Sequence, residues 1–182
     1  MTSPYFSLND IFLKELKVND VTNQYLKCLN LVMITKYIES RFSYQDIKKV
    51  QSFVWSFIED EPNYPFRFLL NKNIKLIQNI RLYSLKQKHT NSEIGLFISY
   101  KTLWCKVYAA KSIYLAAQFA FNELKLNKLR LLCYENNIGS NAGFFKYGVN
   151  GEGFLKYCVE SPVNKDDDWR LGFLSSEILS NV

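Results

Sequence analysis

The chain has 182 residues, of which 48% are hydrophobic, 16% aromatic and 22% charged. That apolar mass excludes a disordered or low-complexity polypeptide, and the length fits one compact domain, 1–182. The net charge of +6 suits an acidic partner, but the basic residues are spread along the chain and interleaved with acidic ones, which argues against a dedicated nucleic-acid surface.

Ile11 to Leu16 reads as a first strand, and Asn19-Asp20 offers an N-cap for a helix through Val21, Tyr25, Leu26 and Leu29. From Ser43 to Ile58 the apolar residues Ile47, Val50, Phe53, Val54, Phe57 and Ile58 recur at helical spacing, and Glu59-Asp60-Glu61-Pro62 ends that helix. Two strands follow, near Phe66–Leu70 and Ile74–Tyr83, joined by Asn71-Lys72-Asn73. Glu93–Ile98 reads as a buried central strand, with a linker from Ser99 to Leu103 leading to Trp104. A long helix is expected from about Val107 to Leu124, with Ala109, Ile113, Ala116, Ala117, Ala120 and Leu124 on its core face. Lys128–Cys133 is a strand, Asn137–Tyr147 a shorter helix stopped by Gly148, and strands near Phe154–Val159 and Asp168–Phe173 complete the pattern. This order predicts an α/β fold with one mixed sheet and helices on both faces.

No apolar run reaches the roughly 18 residues that span a bilayer, and Met1 to Tyr5 lacks a signal-peptide pattern, so a soluble, cytoplasmic protein is expected. The cysteines Cys28, Cys105, Cys133 and Cys158 form no CxxC pair, and His89 is the single histidine, so no metal site is expected. His89 lies in a polar run that reads as a solvated turn, a poor place for a catalytic base. Glycine is absent before Gly95, and five of the seven fall between Gly139 and Gly153, so the tight backbone work lies in the second half.

From Glu93 to Gly153 the sequence resembles the GNAT family of N-acetyltransferases. The resemblance is carried by Glu93-Ile94-Gly95-Leu96-Phe97-Ile98, by Trp104-Cys105-Lys106-Val107-Tyr108-Ala109-Ala110, by Phe119 to Leu124, by Tyr134-Glu135-Asn136-Asn137-Ile138-Gly139-Ser140 and by Phe144-Phe145-Lys146-Tyr147-Gly148-Val149. Weaker similarity covers nearly the whole chain. The resemblance implies a mostly antiparallel sheet whose central strands, here Glu93–Ile98 and Lys128–Cys133, splay apart to hold acetyl-coenzyme A. The pantetheine amides would bond to the unpaired strand edges, and the pyrophosphate would rest on the helix starting near Val107.

By the same resemblance, Phe97, Ile98, Trp104, Lys106, Val107, Tyr108, Ala109, Ala110, Asn137, Phe144 and Lys146 contact the cofactor. One position departs from the family pattern. Val107 stands where the phosphate loop usually has a glycine, and a β-branched side chain resists φ > 0 and holds its neighbours off the backbone. Glu93 is the candidate base that frees the acceptor amine of its proton, the alternative being a solvated strand-end glutamate. Ser140 is the candidate acid for the departing thiolate, the alternative being a plain first-turn serine. Asn137 can be a cofactor contact, an N-cap, or both. Phe144 replaces a tyrosine found in many relatives and cannot donate a proton.

The branch resembled includes enzymes acting on nucleotide-linked amino sugars and enzymes acetylating ribosomal-protein N-termini. The expected function is therefore acetyl transfer to a primary amine, preferably of a nucleotide-linked amino sugar. The alternatives are a protein N-terminal acetyltransferase and a non-catalytic binding module, the latter favoured by Val107. Homodimerisation is common in such folds, and no segment of the sequence decides it.

Overall fold

The computed structural model describes residues 6–8, 11–59, 64–70, 75–99, 104, 108–160 and 165–177. The expected turn at Asn71–Asn73 with Ile74 of the strand after it, the helix stop at Asp60–Pro62, the Tyr100–Leu103 part of the linker, and Cys105, Lys106 and Val107 lie outside the described residues.

Its strands are β1 (Phe6–Leu8), β2 (Ile11–Glu15), β3 (Tyr64–Leu70), β4 (Lys75–Lys86), β5 (Asn91–Ile98), β6 (Lys128–Tyr134), β7 (Asn150–Glu160) and β8 (Lys165–Leu174). Its helices are α1 (Asn23–Leu29), α2 (Val32–Thr35), α3 (Ile47–Glu59), α4 (Tyr108–Gln118) and α5 (Ile138–Lys146). The strands form one eight-stranded sheet in the order β1-β2-β3-β4-β5-β6-β8-β7. Every pairing is antiparallel except that of β5 with β6.

Two faces follow from strand alternation. On one, Ile80, Leu82, Ile94, Leu129, Leu131, Leu171 and Phe173 pack with Ile113, Ala116, Ala117 and Ala120 of the α4 segment. The alanines let the helix lie close to the strands. Ala109 is only half-buried, so the buried face of α4 is turned slightly from the expected one and takes in Ala110, Ser112 and Leu115. After Gln118 the helix widens into a π turn, Phe119–Glu123, which places the Phe121 ring edge-on to Phe173 at 5.9 Å. On the opposite face a smaller cluster of Leu16, Val21, Val50 and Val54 joins α3 to the start of α1.

The expected cap of α1 needs correction. Thr22 is the N-cap, its Oγ1 accepting from the Tyr25 amide at 3.2 Å. Asp20 is engaged elsewhere: its carboxylate accepts from the Lys17 amide and pairs with Arg67 of β3. The α5 boundaries agree with expectation. Gly148 follows the helix at φ 81°, a left-handed conformation that glycine adopts without strain. Leu129 is fully buried at the sheet centre. Leu129→Ala is expected to cost about 2–5 kcal/mol, read from urea denaturation.

Candidate active site

The parallel pair of β5 and β6 is short. It joins Asn91 to Lys128, Ser92 to Leu129 and Glu93 to Arg130 and goes no further. Beyond that point β5 stays with β4 as far as Ile98, opposite Gln78, while β6 stays with β8 as far as Tyr134, opposite Asp168. Two strands that follow different neighbours open a wedge, and their facing edges, Ile94–Ile98 and Leu131–Tyr134, have no ladder partner in each other. The closed end is pinned by the Thr90 carbonyl, which accepts from the amides of Asn127 at 2.7 Å and Lys128 at 3.2 Å. The Ser92 hydroxyl adds a bond to the Tyr83 carbonyl at 2.8 Å.

Glu93 stands where the wedge begins. Its Oε1 is 3.2 Å from Nη2 of Arg130, the residue beside it on β6. On its other side is Tyr83, its cross-strand neighbour on β4. Burial pushes the Tyr83 phenol above its usual range, and the charge of Glu93 adds to the rise. The base candidate is thus half-buried and held between a guanidinium and a phenol, unlike a freely solvated strand-end glutamate.

The other candidates are placed as follows. Phe97 and Ile98 lie at the open end of β5, and the Phe97 ring meets Tyr25 of α1 edge-on at 6.1 Å. Trp104 is half-buried in the turn before α4. Tyr108 opens α4 and packs against the main core, its carbonyl accepting from Ser112 at 2.7 Å; Ala109 and Ala110 follow in the first turn. Asn137 is the N-cap of α5, yet its side chain makes no capping bond and stays available. Ser140 is half-buried in the first turn, and Phe144 lies in the main core at 7% exposure. Lys146 is at the far end of α5, where its ammonium is 5.9 Å from the Tyr147 ring, so it stands apart from Asn137 and Ser140. α5 starts just past the open end of β6, after the turn Glu135–Asn137.

Two residues that hold this site together, Arg41 and Asn141, were not singled out from the sequence. Arg41, in the turn Glu39–Phe42, donates to the Tyr134 hydroxyl at 2.6 Å, the Glu160 carbonyl at 2.5 Å and the Ile38 carbonyl at 3.1 Å. Tyr37 donates to the Asn136 carbonyl at 2.8 Å. These contacts tie the segment between α1 and α3 to the open end of β6. Asn141, buried in α5, donates to the carbonyls of Tyr134 and Glu135 at 2.9 and 3.1 Å and fixes the turn that carries Asn137. Asparagine 141 and arginine 41 carried no motif; only the fold reveals their partners. Cys28 and Cys133 are buried, as expected of small apolar groups, whereas Cys158 is exposed.

The residues fit a thioester cosubstrate. The strand edges can pair with its amides, and no group of metal-ligating side chains is present among the described residues. No described helix is long and apolar enough to cross a membrane.

A mixed sheet opened between two central strands, with a helix following one of them at the open end, defines an acyltransferase-like α/β protein. A family model for the acetyltransferase (GNAT) domain matches residues 10–150, and the chain belongs to that family. The fold is similar to that of spermidine N-acetyltransferase from Vibrio cholerae solved with CoA and spermine, at TM-score 0.84 and 20% identity over 95% of this chain and 100% of that one. It is also similar to a GNAT-family acetyltransferase from Bacillus anthracis, at TM-score 0.79 and 19% identity over 96% of this chain and 100% of that one. No curated protein matches the sequence significantly.

Proposed function

We propose that the chain is an acetyl-coenzyme A-dependent N-acetyltransferase acting as one domain on a small primary amine. The main support is the end of β5–β6 pairing at Glu93 and Arg130, which leaves two strand edges for a pantetheine arm. The cosubstrate supplies the acetyl group as an activated thioester. Glu93 takes the proton from the acceptor ammonium, directly or through water, so that the amine can attack. A backbone N–H on the free edge of β5 stabilises the developing oxyanion. Ser140 gives a proton to the departing thiolate, a role the Phe144 ring cannot fill. Asn137 and the first turn of α4 hold the cosubstrate.

The acceptor class we favour is a nucleotide-linked amino sugar, on the resemblance of the sequence. That similar structures include a spermidine N-acetyltransferase supports an amine as acceptor, and at 20% identity the likeness extends to fold alone. A non-catalytic binding module is the second reading, favoured by Val107 in place of the phosphate-loop glycine.

Isothermal titration with acetyl-coenzyme A separates the two. Micromolar binding, about −8 kcal/mol, is expected, and it tightens in Val107→Gly. Absence of heat with both proteins refutes the enzyme reading.

A further inference from the structure

We infer that Arg81, held over Gly95 between Tyr83 and the rings of Phe53 and Phe57, receives an anionic group, carboxylate or phosphate, of the acceptor amine. This rests on the acetyltransferase reading and identifies the chemistry of its second substrate.

The argument begins with sign. Glu93 is the single acidic residue on β4, β5 and β6, and Arg130 already neutralises it. The same sheet face carries Arg81 on β4, Lys128 and Arg130 on β6, and Arg170 on β8, because register places Arg81 beside Gly95, Tyr83 beside Glu93 and Leu132 beside Arg170. Lys128 is satisfied by Glu152 at 2.5 Å. Arg81 has no carboxylate partner among the described residues. A polyamine needs carboxylates for its further ammonium groups, and these three strands offer it only Glu93.

Geometry supplies the rest. The Arg81 guanidinium carbon lies 4.4 Å from the Tyr83 ring centroid, 5.0 Å from Phe57 and 6.0 Å from Phe53. Rings over its faces fix the plane of a guanidinium while leaving its N–H edge for a ligand. Gly95 completes the seat: a Cβ there would stand 3.3 Å from both Arg81 Nε and Tyr83 Cε1. The need for close approach accounts for the glycine that interrupts this central strand. Arg81 and Glu93 are two register positions apart, on the order of 7 Å along the strands, so one small molecule can offer its amine to Glu93 and its anion to Arg81. Tyr83 lies between them, opposite Glu93 in the register and with its ring under the Arg81 guanidinium.

The test is a panel of matched acceptors: glucosamine 6-phosphate against glucosamine, 4-aminobutyrate against 4-aminobutanamide, and spermidine. Coenzyme A release is followed with wild type, Arg81→Gln and Arg81→Lys. In at least one pair the anion-bearing member is expected to have a kcat/KM ten or more times that of its neutral partner, and the pair that responds tells phosphate from carboxylate. Arg81→Gln is expected to raise KM for that member about 10–100-fold with kcat little changed and the neutral partner unaffected, and Arg81→Lys to recover part of the loss. Spermidine as the best acceptor overturns the inference. So does an equal loss on both members of a pair, which would mark a purely structural arginine. So does the absence of both turnover and titration heat with the two anion-bearing amines. The acetyl-coenzyme A titration stands independently of all these outcomes and judges the enzyme reading separately.

Discussion

Glu93→Gln is expected to lower kcat by about 10²–10⁴, the usual worth of a positioned general base. The substitution keeps shape and reach, so Arg130 retains a neutral partner, while proton acceptance is lost. The acidic limb of the pH–rate profile should vanish with it, since no carboxylate is left to be protonated. Binding of acetyl-coenzyme A should remain near the wild-type value because Glu93 sits where the strands part and the cosubstrate occupies the open wedge. An unchanged profile with normal turnover excludes the role. A parallel collapse of turnover, cosubstrate binding and folding would instead mark the Glu93–Arg130 pair as structural, and thermal denaturation of the variant distinguishes that outcome.

The second large effect is on stability and comes from Asp168. This residue is 2% exposed in β8, opposite Tyr134, and its Oδ1 has no hydrogen-bond partner. Burial pushes its carboxyl up to about 6, with Glu39 adding to the rise and the backbone of Trp169 and Cys133 and the charge of Arg170 opposing it. The sign follows from linkage. The unfolded chain releases this proton near the ordinary carboxylate value and the folded one only near 6, so between these points the native state binds more protons. Stability therefore falls as pH rises through that window and stays reduced above it. Asp168→Asn removes the buried charge and is expected to stabilise the protein by up to about 3 kcal/mol at pH ~7.5, with little effect near pH ~4. Urea midpoints at the two pH values measure this. Wild type and variant with the same pH dependence would rule out Asp168 as its source.

Much of the frame was legible because it rests on local pattern. The 3.6-residue spacing of α3 and the small-residue face of α4 announced both helices, and Gly148 announced the end of α5. The blocks from Glu93 to Gly153 announced the wedge. β1 was missed because Phe6–Leu8 is too short to display an alternation. The cap of α1 was misplaced because Asp20, a good N-cap residue in isolation, is claimed by the Lys17 amide and by Arg67 from a distant strand. The electrostatics of the site were hidden for the same reason. Arg130 meets Glu93 only through a parallel register, and Arg81 meets Phe53 and Phe57 only once α3 has packed on β3, the strand next to β4. Contacts of that kind are set by topology, and composition or spacing carries no trace of them.

The borders of the sheet have a consequence for behaviour in concentrated solution. One border is the three-residue β1. The other, β7, is broken by register shifts at Gly151/Gly153 and Leu155/Val159, and between them Tyr157 turns to φ 52° and gives its N–H to Asp167 at 2.8 Å. Neither offers the long, flat row of free amides and carbonyls that templates another chain. Intermolecular strand addition, and with it ordered aggregation along the ladder, is thereby disfavoured at both ends.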